Sequence, residues 1–141
     1  MEYKTTGDLS EELMSDANID QYISDNESQF TEQSVPELLS ELYAKKLVTK
    51  ATLAKKAGIS EVYLHQVFSG RRKPSRDRLI CLCIGLGATL EETQTLLKLA
   101  SYAQIYPKIK RDAIIGHGIL HNTDLNDIND KLYAENEKTL F

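Results

Sequence analysis

The stretch from Lys50 to Ser69, KATLAKKAGISEVYLHQVFS, leaves this chain few folds to choose from. Thr49 stands where its hydroxyl can accept from the free N–H groups of a first helical turn. Leu53, Ala54 and Ala57 then recur at helical spacing on one face. Gly58 follows the last of them, where a left-handed backbone costs least for a residue without Cβ. Ser60 can cap a second helix whose inward residues are Leu64 and Val67, with Ile59 filling the corner. A small Ala54 permits close crossing and Gly58 a sharp turn. This combination predicts two short helices meeting through a tight turn, a helix-turn-helix.

The pattern continues beyond that hairpin. Leu53, Ala54, Gly58, Ile59, Leu64 and Val67 are followed by Gly70-Arg71-Arg72-Lys73-Pro74-Ser75, by Leu79, and by the run Gly87-Ala88-Thr89-Leu90-Glu91-Glu92. With these residues the segment from about 34 to 100 resembles the Xre/Cro family of repressors, the lambda-repressor-like DNA-binding domains. The resemblance implies an all-α, five-helix domain whose second motif helix lies in the major groove. It also implies binding as a homodimer on two half-sites.

Charge is distributed in keeping with such a role. The 141 residues carry a net charge of −4, which is unpromising for a polyanion binder until it is divided. Residues 1 to 33 hold nine acids and one lysine. Residues 44 to 78 hold ten Lys and Arg against Glu61 and Asp77. A basic block of that density, lying on the helix-turn-helix itself, is the electrostatic footprint of nucleic-acid binding. No run approaches the ~20 apolar residues that span a bilayer, and the acidic N-terminus lacks a secretory signal. A soluble, cytoplasmic protein with no membrane association is expected. Cys81 and Cys83 are two apart on one expected helix, point to different sides and suit reduced core positions.

The rest of the chain flanks this domain. Residues 1 to 33 are expected to form an acidic arm with two short amphipathic helices. Leu9, Leu13 and Met14 mark the first, with Thr6 or Asp8 as cap. Ile19, Tyr22 and Ile23 mark the second, with Asn18 as cap. Helices this short are marginal in water unless docked. The arm is therefore read as packing weakly on its own domain, docking a protein partner or second subunit, or competing with DNA for the basic face. The domain proper is placed at 34 to 104. Ser34 and Glu37 have capping-box spacing, with Pro36 in the first turn, and that helix is expected to reach about Leu47. Ser75 caps a helix from Arg76 to Leu86 that Gly85 and Gly87 loosen and end. Thr89 and Glu92 open another, running to about Tyr102. Residues 105 to 141 form a C-terminal helical extension: one helix over 108 to 120, with Ile109, Ala113, Ile114 and Leu120 apolar, and one over 125 to 135 capped by Asp124. The extension is expected to pack on the domain, with a dimer contact in the same surface.

The resemblance also distributes roles. Base contacts are expected from Ser60, Glu61, Val62, Tyr63 and Gln66, on the outward face of the second motif helix. Gln66 can pair with adenine, Val62 can touch a thymine methyl, and Glu61 can accept from a cytosine amino group. Glu61 equally suits the positive end of a helix dipole, and Val62 with Tyr63 equally suits a small protein-docking patch. Phosphate contacts are expected from Lys50, Ser60, Gly70, Arg71, Arg72 and Lys73, giving salt-dependent affinity and register rather than sequence reading.

No catalytic constellation, Gly-rich phosphate loop or nucleophile elbow is visible, so no enzyme and no cofactor are expected. His117 and His121, four apart, have no companions at metal-ligand spacing, so no metal is expected. The overall expectation is a sequence-specific transcriptional regulator, a repressor, bound to double-stranded DNA. The rival is a protein-interaction module, antitoxin or adaptor, that uses the acidic arm and for which DNA is secondary.

Overall fold

The computed structural model describes residues 4–15, 18–27 and 33–141. Among them every regular element is a helix, nine in all, and the chain divides into two compact units, 1–32 and 33–141.

In the first unit, α1 (Thr6–Ser15) pairs with α2 (Ile19–Asp25). The cap of α1 is Thr5, one residue before the expected candidates: its Oγ1 accepts from the Asp8 N–H at 3.0 Å and Asp8 Oδ2 accepts from the Thr5 N–H at 3.1 Å. Asp8 thus has the reciprocal role in a capping box. Asn18 caps α2 as expected, accepting from the Asp20 N–H. Glu12 accepts from Lys4 and from the Asn26 amide. Those two hydrogen bonds, Lys4 first, hold its carboxyl below the usual range. Neither helix buries a residue, and Leu13, Met14, Ile19 and Ile23 are exposed. The arm's acids Glu2, Asp16 and Glu32 lie outside the described residues.

The second unit contains α3 (Val35–Ala44), α4 (Lys50–Lys56), α5 (Glu61–Phe68), α6 (Arg76–Leu86), α7 (Leu90–Leu99), α8 (Lys110–Leu120) and α9 (Leu125–Ala134). Its axis is α6, which packs on α4, α7 and α9. Leu79 through Cys83 are all buried, as a helix enclosed on several sides requires. Leu39, Leu53, Leu64, Val67, Leu96 and Leu97 close around it. Ile115, Ile128 and Leu132 bring α8 and α9 into the same core. Truncating any of these fully enclosed leucines to alanine costs about 2–5 kcal/mol. Burial drives the Cys81 and Cys83 thiols up to about 11 and about 12, so both remain protonated and unreactive near neutral pH.

Local signals set most helix starts. Thr49, Ser60, Ser75, Thr89 and Asp124 each accept from the N–H three residues on. Each such cap is worth about 1 kcal/mol. Thr89 and Glu92 close the full reciprocal box, and Ser34 makes its half with the Glu37 N–H.

Helix ends follow tertiary contacts instead. α3 stops at Ala44, not near Leu47, because the Tyr43 hydroxyl donates to the Val48 carbonyl at 2.8 Å and folds the chain back. Leu47, wholly exposed, offers no burial to prolong the helix. α7 stops at Leu99, not Tyr102. Ser101 turns left-handed at φ 63°, the Tyr102 N–H returns to the Leu97 carbonyl, and the Tyr102 hydroxyl reaches the Pro74 carbonyl at 2.6 Å. Gly85 does not loosen α6. A Cβ there would stand 3.1 Å from the Ala57 nitrogen, so Gly85 lets the end of α4 pack closely on α6. On α8 the inward residues are Asp112, Ile115, Gly116, Gly118 and Ile119, whereas Ile109, Ala113 and Leu120 face out.

Two reciprocal ion pairs bind α8 to the first turn of α6. Arg76 meets Asp112 through both guanidinium arms at 3.0 and 3.3 Å, and also donates to the Ala103 and Gln104 carbonyls. Arg111 meets Asp77 through both arms at 3.0 and 3.1 Å and donates to the Lys138 and Thr139 carbonyls. Paired two-arm contacts of this kind fix geometry as well as charge.

Candidate nucleic-acid interface

α4 and α5 meet at the turn Ala57–Ser60. Gly58 takes φ +66°, and the Ile59 N–H reaches back to the Ala54 carbonyl at 3.0 Å. A Cβ at Gly58 would lie 2.8 Å from the Phe141 ring, so both backbone and space demand glycine here. Leu64 and Val67 anchor α5 to the core at 0 % and 1 % exposure. That anchoring turns Glu61, Val62 and His65 outward and leaves Tyr63 and Gln66 half-buried at the edge of the same face.

The residues at the start of α5 have distinct surroundings. The Ser60 oxygen is engaged as a cap by the Tyr63 N–H at 3.1 Å, but its hydroxyl hydrogen is still free to donate outward. Glu61 lies 3.6 Å from the His65 imidazole, one helical turn on. Val62 is 68 % exposed. The Tyr63 ring is flanked by two guanidinium groups, Arg72 at 5.5 Å and Arg78 at 5.9 Å from its centroid. Burial pushes its hydroxyl above the usual tyrosine range, and the two arginines oppose that shift.

The loop after α5 turns back alongside it. Gly70, at φ +79°, gives its N–H to the Val67 carbonyl, and the Arg71 and Arg72 N–H groups both go to the Gln66 carbonyl. The three loop donors are therefore used internally. With its N–H turned to the Val67 carbonyl, Gly70 supplies the turn that carries Arg71, Arg72 and Lys73 alongside α5. The Arg71, Arg72 and Lys73 side chains are exposed. Arg72 Nε donates to Gln66 Oε1 at 3.0 Å. Lys73 lies 4.9 Å from the Tyr102 ring centroid, and Lys50 lies 5.1 Å from that of Phe68 and 5.8 Å from that of Tyr43. Such placement over ring faces holds an ammonium group still while its outer hydrogens stay exposed.

Among the expected site residues, Arg72 thus touches both Gln66 and Tyr63, with Arg71 and Lys73 flanking Arg72 in the chain. Lys50 stands by Phe68, the last residue of α5. The Arg72–Gln66 and Arg72–Tyr63 contacts span six and nine residues across a turn, where no helical periodicity signals them. The only hint in the sequence is the Ser69-Gly70 turn, which reverses the chain. Arg76 and Arg78 belong to the basic block by position, yet Arg76 is saturated by Asp112 and two carbonyls, and Arg78 donates to the Gly58 carbonyl at 3.4 Å.

Among the described residues no group of three or more His, Cys, Asp or Glu is placed to hold a metal ion. No helix there is long and apolar enough to cross a membrane. The His117 and His121 rings lie 4.2 Å apart, centroid to centroid, at the end of α8. No curated protein and no solved structure matches the chain. Residues 38–96, which run from α3 into α7 and include the whole of α4, α5 and α6, match the family model of the helix-turn-helix domain.

Proposed function

We propose that this protein is a sequence-specific DNA-binding regulator of transcription, a cytoplasmic repressor of the Xre/Cro kind that acts as a homodimer. α5 enters the major groove, with Ser60, Glu61, Val62, Tyr63 and Gln66 towards the bases. Lys50, Arg71, Arg72 and Lys73 meet the phosphates on either side. The work is binding rather than catalysis. One observation carries the reading: the outward face of α5 and the exposed loop cations share a surface, joined by the Arg72–Gln66 hydrogen bond at 3.0 Å.

Phosphate contacts by exposed lysine and arginine release counterions, at a slope of roughly −0.9 in log K against log salt for each contact. Four such side chains therefore correspond to a slope of roughly −3 to −4 for each protomer. A two-fold dimer would read half-sites about one helical turn apart.

A second reading draws on the first unit. Leu13, Met14, Ile19 and Ile23 are exposed on two acidic helices that bury nothing of their own, which suits docking of a protein partner by the arm. Selection from a randomised duplex library, using the full chain, separates the readings. Enrichment of a short, two-fold-related sequence supports the regulator. Retention of duplex without enrichment means an electrostatic binder only, and failure to retain any duplex at low salt favours the interaction module.

A further inference from the structure

Gln66 and Arg72 are held as one unit. The backbone N–H groups of Arg71 and Arg72 close on the Gln66 carbonyl at 2.9 and 3.2 Å. Arg72 Nε then donates to Gln66 Oε1 at 3.0 Å, and the guanidinium lies over the Tyr63 ring at 5.5 Å. Arginine has no acceptor, so the glutamine atom facing it has to be the oxygen, and the amide nitrogen points elsewhere. Among the described residues, neither that nitrogen nor the Nη groups of Arg72 has a partner.

The consequence concerns which base this edge can accept. A free glutamine reads adenine by accepting from N6 with its oxygen while donating to N7 with its nitrogen. Here the oxygen already lies against a cation, and an amino donor approaching its second lone pair would meet the guanidinium N–H groups. What the pair presents outward is donors alone, the Gln66 amide hydrogens beside those of Arg72 Nη. In the major groove guanine offers two adjacent acceptors, O6 and N7, whereas adenine offers N7 beside a donor.

We infer that Gln66 and Arg72 act as a single donor array that selects guanine over adenine, with Arg72 as the residue that sets the preference. This rests on the DNA-binding reading above and changes it at one residue, moving Arg72 from the phosphates to the base edge beside Gln66.

The test compares the full chain with Arg72→Lys and Gln66→Ala on duplexes selected from a randomised library, followed by anisotropy titrations on single-base changes. Arg72 is exposed, and lysine keeps the charge, so the fold and general duplex affinity should persist, the latter within about threefold. The wild type is expected to prefer guanine at the position whose preference Gln66→Ala abolishes, by about 10- to 100-fold over adenine. Replacing that guanine by 7-deazaguanine, which lacks the N7 acceptor, should weaken binding about tenfold. Arg72→Lys, which removes the planar fork that sets Nε on the Gln66 oxygen and the Nη groups beside its amide, should reduce the guanine preference at least tenfold and raise adenine at that position alone. The inference is overturned if the wild type enriches adenine there, or if Arg72→Lys leaves the preference at every position unchanged. Failure of the wild type to bind any duplex would overturn the DNA-binding reading itself and this inference with it.

Discussion

Arg71 and Arg72 lie only a few residues before Arg76 and Arg78, yet the two groups have different fates. Arg76 is turned inward, its guanidinium filled by Asp112 and the carbonyls of Ala103 and Gln104. Arg71 is exposed, and among the described residues Arg72 engages its neighbours Gln66 and Tyr63 on α5. The sequence alone presents both as one basic block. The difference shows that a cation's role depends on the acceptors the fold brings within reach. Asp112, 36 residues away and 4 % exposed, converts Arg76 from a surface charge into a structural tie. Among the described residues nothing comparable reaches Arg71.

The contrast can be broken most forcefully from the structural side. Asp112→Ala leaves Arg76 and the Tyr106 N–H without their carboxylate. Loss of one partner from a buried pair costs about 3–5 kcal/mol, measurable as a lower urea midpoint. Duplex affinity of the remaining folded protein should be unchanged. The parallel pair is more accessible, with side chains 17 % and 24 % exposed. A double-mutant cycle on Arg111→Ala and Asp77→Ala should give a coupling energy of about 1–2 kcal/mol in stability.

From the binding side the pattern should invert. Arg71→Ala is expected to change stability by less than about 0.5 kcal/mol. It should weaken binding to all duplexes alike and lower the salt slope by about one. The smallest effect belongs to Glu61, an acid at the edge of a basic surface. Glu61→Gln should strengthen binding about twofold to fivefold, the equivalent of roughly 0.4–1 kcal/mol, within the range of an exposed charge pair.

The fold was legible in the sequence wherever its determinants are local. The Thr49, Ser60, Ser75, Thr89 and Asp124 caps each act within three residues, and the turn at Gly58 depends on one backbone angle. Helix ends were less legible because distant atoms decide them: the Val48 carbonyl for α3, the Pro74 carbonyl for Tyr102. The role of Gly85 was hidden for the same reason, since only the approach of Ala57 reveals it. In the candidate site, the exposure of Glu61 and Val62 followed from helical spacing against Leu64 and Val67. The bond between Arg72 and Gln66 did not, because the intervening turn breaks every periodic signal. Nor did the spending of the Gly70 N–H on α5, which depends on how that turn closes.

The account depends on free cations beside the outward face of α5. Its most direct test is the salt dependence of duplex binding for the full chain and for an Arg71→Ala, Lys73→Ala double variant. The expected result is a steep log K against log salt line for the wild type, and for the variant a slope shallower by about 1.8, at roughly 0.9 for each lost phosphate contact, with its thermal unfolding unchanged. Equal slopes for the two proteins would contradict it.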